Sequence, residues 1–71
     1  MLDSKQLRSR REKLGLSRAA LAKQIAVDGM TVYRWEVGLR SPSLEMIDRL
    51  AEALGISPRK LLRAEPSGWG P

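Results

Sequence analysis

Residues 17–38 read SRAALAKQIAVDGMTVYRWEVG. Leu21, Ala22 and Ile25 stand at i, i+1 and i+4, and Val32 and Trp35 at i and i+3. Both sets share one face of a 3.6-residue period, so the stretch holds two short helices. Ser17 and Asp28 each stand just before one of them, where a side-chain oxygen can bond a backbone N–H that has no helical partner. About three residues, Ala26 to Asp28, join the two. So short a turn forces the helices to cross steeply. Close crossing needs a small residue at the contact, which Ala22 supplies. Leu21, Ile25, Val27, Val32 and Trp35 are the apolar positions that fill the angle.

Outward from this pair the pattern stays helical. A first helix is expected from about Ser4 to Leu14, with Leu7, Arg11 and Leu14 on one face. A fourth begins after Ser43 and aligns Leu44, Ile47, Leu50, Ala51 and Leu54. A fifth opens on Ser57-Pro58, an N-cap with proline at the first helical position, and carries Leu61 and Leu62. One of these leucines is expected to face the core and the other solvent. Gly15, Gly38 and Gly55 fall where three periodicities stop. Only seven residues are Val, Ile or Thr, against eighteen Leu and Ala, which disfavours strands. The fold class is therefore all-α, a compact five-helix bundle over residues 1–63. Residues 64–71, AEPSGWGP, have no periodicity and read as a mobile tail.

At 71 residues the sequence accommodates one domain. It has no cysteine and no histidine, which removes disulfides, thiolate metal sites, the commonest general base and the commonest zinc ligand. No catalytic residue, metal site, cofactor or small-molecule substrate is expected. No apolar run is long enough for a membrane span or a signal peptide, so a cytoplasmic location is expected. The net charge is +5, and its distribution is uneven. Residues 1–40 hold nine bases and four acids, whereas residues 41–71 hold four of each. Such one-sided excess suits a polyanion such as nucleic acid, or else simply solubilises the surface.

Five pieces, in order, carry a family resemblance: R-x-x-x-G-L-S at Arg11 to Ser17, L-A at Leu21-Ala22, W-E-x-G at Trp35 to Gly38, P-S at Pro42-Ser43, and L-A-x-A-L-G-I-S at Leu50 to Ser57. Over residues 5–63 the sequence resembles the helix-turn-helix DNA-binding domain of lambdoid phage repressors, Cro proteins and the xenobiotic-response-element class of regulators. The resemblance implies a bacterial or phage regulator whose third helix enters the major groove of double-stranded DNA. It also implies a homodimer reading two half-sites of a symmetric operator.

Carried over by position, the resemblance places Met30, Tyr33 and Arg34 at base edges. Arg34 can bond O6 and N7 of one guanine, and Met30 can pack on a thymine methyl. A phosphate contact or an ion pair is the alternative for Arg34, and a solvent-facing position that for Met30. Tyr33 suits a base or a phosphate. Phosphate contacts are implied for Ser17, Arg18, Thr31, Arg40 and Ser41, with Gly29 allowing close backbone approach. Arg11 and Glu36 correspond to an ion pair between the first and third helices, and Arg11 also lies near phosphate. Ile56, Arg59, Leu61, Leu62 and Trp69 correspond to the dimer contact. Leu61 and Leu62 closing the monomer core is the alternative, and Trp69 either docks on a partner or folds back.

Two departures stand out. The inter-helix turn holds Ala26 where relatives often have glycine with positive φ, and the paired glutamines that some members use to read adenine are absent. Several relatives are antitoxins or adaptors that mainly grip a protein, so a protein partner is the alternative reading.

Overall fold

The computed structural model describes residues 2–62. Five helices follow one another: α1 (Ser4–Lys13), α2 (Arg18–Gln24), α3 (Gly29–Glu36), α4 (Leu44–Leu54) and α5 (Pro58–Leu61). The all-α expectation holds. Asp3, Ser17, Asp28 and Ser43 each have extended backbone and a side-chain oxygen accepting from an amide three residues on. Ser57 also precedes its helix, but its hydroxyl makes no capping bond. There proline at the first helical position removes one amide that would otherwise lack a helical carbonyl.

The first four helices end in one arrangement. At the end of α1, Gly15 N–H donates to Glu12 C=O and Leu16 N–H to Arg11 C=O. The same two bonds recur for Gly38 and Leu39 after α3, and for Gly55 and Ile56 after α4. After α2 the pair is Ala26 to Lys23 and Val27 to Ala22. This pair of hydrogen bonds requires a left-handed residue at its centre. Gly15, Gly38 and Gly55 meet that need with φ of 72°, 82° and 69°. Ala26 meets it with φ of 61°, and it is the non-glycine residue with positive φ among those described. Its Cβ crowds the following carbonyl, at a cost of about 1–2 kcal/mol. Ala26→Gly removes that crowding but adds backbone freedom to the unfolded chain. The variant is expected to be as stable as the parent or up to about 1 kcal/mol more so. Thermal unfolding checks this, and a clear drop in Tm would refute it.

The core gathers Leu7, Leu21, Ala22, Ile25, Val32, Trp35, Ile47, Leu50, Ala51, Leu54 and Leu61, with Val27 and Ile56 packed against it. Two expectations fail at helix ends. Leu44 is 75% exposed and Leu14 is also exposed, although both continue an apolar stripe. Each sits at a helix end: Leu14 is the residue that caps α1, and Leu44 is the first of α4. The core also takes a residue the periodicities miss. Leu2 is buried and forms an antiparallel bridge with Leu62, while Asp3 N–H donates to Leu61 C=O at 2.7 Å. The residue preceding α1 is thereby tied to the end of α5.

Two polar contacts between helices fix the angle of α1. Ser4 Oγ donates to Trp35 C=O at 2.8 Å, joining the start of α1 to the last turn of α3. Arg10 Nε donates to Leu54 C=O at 3.0 Å. A cation thus stands at the negative end of α4 and satisfies one of its unpaired carbonyls.

Candidate nucleic-acid interface

The inner face of α3 carries Val32 and Trp35, both buried. Its outer face therefore presents Met30, Tyr33 and Arg34, all exposed. These are the three positions expected at base edges, and the structure brings them together on one surface. Arg34 makes no ion pair among the described residues, and neither does Arg40. Between them lies a groove of about 410 Å³, lined by Thr31, Arg34, Arg40, Ser41 and Ser43 over a floor of Val27, Trp35 and Met46. Two cations and the hydroxyls of Ser41 and Ser43 on one open groove suit an anion.

The loop after α3 is braced from inside. Leu39 N–H and Arg40 N–H both donate to Arg34 C=O, at 2.9 and 3.3 Å. Those two amides are spent, so the loop can offer an anion the Arg40 charge and the Ser41 hydroxyl. At the start of α2, Ser17 Oγ accepts from Ala20 N–H at 3.0 Å. The amides of Arg18 and Ala19 remain without a helical carbonyl, as at any helix start. The Ser17 hydroxyl proton is also left available, because the cap only accepts.

Thr31 is less available than its position implies. Its Oγ1 donates to Asp28 Oδ1 at 3.2 Å, and its N–H donates to the same oxygen at 2.9 Å. A hydroxyl proton given to Asp28 cannot also be given to a phosphate. The backbone and hydroxyl bonds from Thr31, with the Arg34 charge nearby, hold the Asp28 carboxyl below its ordinary range. Gly29 follows this cap. A Cβ there would lie 3.7 Å from Ala19 Cα, ordinary contact, so packing inside the domain does not require glycine at this position.

Behind the exposed face lies a charged cluster. Glu36 is 1% exposed at its side chain and takes two arginines. Arg11 Nε approaches Oε2 at 2.6 Å, Arg11 Nη2 approaches Oε1 at 3.2 Å, and Arg11 Nη1 donates to Leu16 C=O at 2.7 Å. Arg18 Nε donates to Oε1 at 3.0 Å. Burial pushes the Glu36 carboxyl up, but the hydrogen bonds and charges of Arg11 and Arg18 outweigh it and hold it below the ordinary range. The bond to Glu36 raises Arg11 against the opposing effect of its own burial. Arg11 thus ties α1 to α3 and to the turn at Leu16. It is buried, which leaves its guanidinium little surface to offer a phosphate.

Arg18 was expected at a phosphate only. Its second attachment, to Glu36, is one that sequence reasoning missed. Its guanidinium carbon also lies 5.2 Å from the centroid of the Tyr33 ring. No periodicity signals this, because Arg18, Tyr33 and Glu36 meet through the crossing of α2 and α3.

The proposed dimer residues divide. Leu61 is fully buried and closes the monomer core, so it cannot contact a partner subunit. Leu62 and Arg59 are exposed, and Ile56 is half-buried. Trp69 and the tail over residues 64–71 lie outside the described residues.

With this geometry in place, comparison with known proteins is specific. The helix-turn-helix family profile matches residues 7–61. The chain belongs to the helix-turn-helix family. It is 35% identical over 66 residues to repressor protein C2 of Salmonella phage P22, which covers 93% of this chain and 31% of that repressor. This chain therefore spans about a third of that relative's length. It superposes on the P22 c2 repressor crystallised with a synthetic operator at a TM-score of 0.83 and 34% identity, covering 92% of this chain and 98% of the other. The restriction-modification controller protein C.AhdI from Aeromonas hydrophila gives a TM-score of 0.78 at 41% identity, over 83% of this chain and 86% of its own. Hydroxypropylphosphonic acid epoxidase from S. wedmorenis also matches, at a TM-score of 0.78 and 33% identity, over 84% of this chain but only 32% of the enzyme. The resemblance to phage-repressor domains and the lambda-repressor-like fold both hold.

Proposed function

We propose that this chain is a sequence-specific double-stranded DNA-binding transcriptional regulator, a repressor, acting in the cytoplasm as a homodimer on a two-fold symmetric operator. The observation that carries the reading is the outer face of α3, where Met30, Tyr33 and Arg34 are exposed beside a groove flanked by two arginines without ion pairs among the described residues. That face has the width of one helix, which fits the major groove. Arg34 reads guanine, Met30 packs on a thymine methyl and Tyr33 meets a base edge. Phosphates are held by the start of α2 at Ser17, by the groove at Arg40 and Ser41, and by close backbone approach at Gly29. Asp28 keeps the Thr31 hydroxyl for itself, so Thr31 contributes through its position.

The relatives support the reading at the level of the domain. One is a phage repressor crystallised with an operator, and another is a controller protein. The likeness to the epoxidase is confined to about a third of that enzyme, which favours a binding module over catalysis for the shared part. Dimerisation fits the modest area that one recognition helix can bury, roughly 600–1,000 Å². Leu62 and Arg59, with the exposed edge of Ile56, are the residues assigned to the dimer contact.

The test is selection of bound duplexes from genomic fragments, followed by footprinting and a salt titration. A two-fold symmetric footprint is expected. With roughly 3–5 phosphates held per subunit, the log–log slope of affinity against salt is expected on the order of −5 to −9. A slope near zero on every duplex overturns the proposal. Recovery of a stable protein partner without any DNA shift would instead establish an adaptor.

A further inference from the structure

Arg18 occupies an unusual place for a residue at the edge of a DNA-facing surface. It is the first residue of α2, where the helix dipole disfavours a cation. A simple phosphate clamp would hold its guanidinium away from the protein. Here one side of the guanidinium is spent on Glu36, at 3.0 Å, while its carbon stands 5.2 Å from the centre of the Tyr33 ring. Glu36 is itself held by the buried Arg11, so it cannot swing. The chain of contacts runs from a fixed anchor, Arg11 and Glu36, through Arg18, to an exposed ring on α3. The Arg18 side chain is 38% exposed, so its terminal N–H groups still reach solvent.

A tyrosine at the surface of a helix is otherwise loosely held. Its ring can occupy more than one staggered position about its first torsion. A guanidinium over one face selects among them. Arginine is suited to this because it is planar, stacks on aromatic rings and can use Nε for the carboxylate at the same time. Lysine carries the same charge but lacks the plane and the fixed donor fork that would hold it over the ring.

We infer that Arg18 is a positioning residue, which Glu36 holds over the Tyr33 ring so that the ring meets the base edge in one orientation. This rests on the DNA-binding reading above and assigns a determinant of specificity within it. Charge at residue 18 then matters less for affinity than geometry does.

The experiment compares Arg18→Lys, Arg18→Gln, Tyr33→Ala and the double variant Arg18→Lys/Tyr33→Ala on the selected operator and on duplexes altered one base pair at a time. Circular dichroism melting accompanies each variant. Arg18→Lys is expected to lose roughly three- to tenfold of discrimination at one base pair per half-site while keeping the parent salt slope. With Tyr33 already removed, Arg18→Lys is expected to change discrimination little, because its effect passes through the ring. Since Tyr33 is the sole tyrosine, its ring proton signals can be read in the protein alone. Those signals are expected to shift in Arg18→Lys without DNA present.

A phosphate contact alone predicts the opposite set. Arg18→Gln would then weaken all duplexes equally and lower the salt slope by about one per subunit, and Arg18→Lys would restore both. That outcome, or additive effects of Arg18→Lys and Tyr33→Ala, overturns the inference while leaving the DNA-binding reading in place. A parent protein that selects no duplex overturns both.

Discussion

Glu36→Ala is expected to lower stability by about 3–5 kcal/mol, the largest effect of any single substitution on this surface. The reason is the guanidinium of Arg11, which is buried and would lose two of its three bonds. A charge left in the interior without its partner keeps the full cost of desolvation. For a domain this small, each kcal/mol corresponds to roughly 4–8 °C, so Tm should fall by more than about 10 °C. Arg11→Ala should be similarly severe, although Arg18 still pairs with the carboxylate. Replacing both partners, as Arg11→Met with Glu36→Leu, should cost less than either single loss, because no uncompensated charge remains. The same pair governs acid behaviour. The Glu36 carboxyl lies below its ordinary value of 4.5 in the folded chain, so below that value the unfolded chain binds the extra proton first. Its contribution is present above about pH 4.5 and is lost as pH falls through the depressed native value. Melting curves from neutral to acid pH check this. A Glu36→Ala protein that melts within about 2 °C of the parent would refute the account.

Arg34→Ala should leave the fold intact and damage recognition. Arg34 is exposed and makes no ion pair among the described residues, so its removal should change stability by no more than about 0.5 kcal/mol. Discrimination at one base pair should fall by about 1–3 kcal/mol per half-site, roughly fivefold to over a hundredfold, because the bidentate bond proposed to guanine is lost. In a symmetric dimer the loss applies twice. Arg40→Ala provides the contrast. It should weaken all sequences about equally and reduce the salt slope by about one per subunit, as a phosphate contact does. Binding measured on the operator and on single-base variants, at several salt concentrations, distinguishes the two. If Arg34→Ala behaves as described for Arg40→Ala, and the reverse, the two roles are exchanged.

Part of this molecule is legible from local rules. Ser17, Asp28 and Ser43 cap their helices because each offers an oxygen at the right distance from a nearby amide. Gly15, Gly38 and Gly55 end helices because a left-handed residue is needed there. The outer face of α3 follows from the inner one, since Val32 and Trp35 leave only one side for Met30, Tyr33 and Arg34. Local rules fail where a contact depends on how far a neighbouring helix reaches. Leu14 and Leu44 fit their stripes but are exposed at helix ends, and Leu2 enters the core beside a bridge to Leu62 that no periodicity encodes.

Polar side chains show the same division more sharply. Residue type and resemblance mark Arg11 and Glu36 as partners, yet the geometry recruits Arg18 to the same carboxylate and sends Arg10 to the end of α4. Long side chains reach several partners from one backbone position, so sequence alone cannot choose among them. The Thr31 hydroxyl is likewise offered by its position on α3 but claimed by Asp28. Hydrophobic spacing, caps and glycine stops were enough to establish the helices, their order and the face of α3 left exposed, because those depend on neighbours within a few residues. The crossing of α2 and α3 and the approach of α1 decided which arginines serve the fold and which remain available to an anion, because only packing brings charges from distant residues within bonding distance.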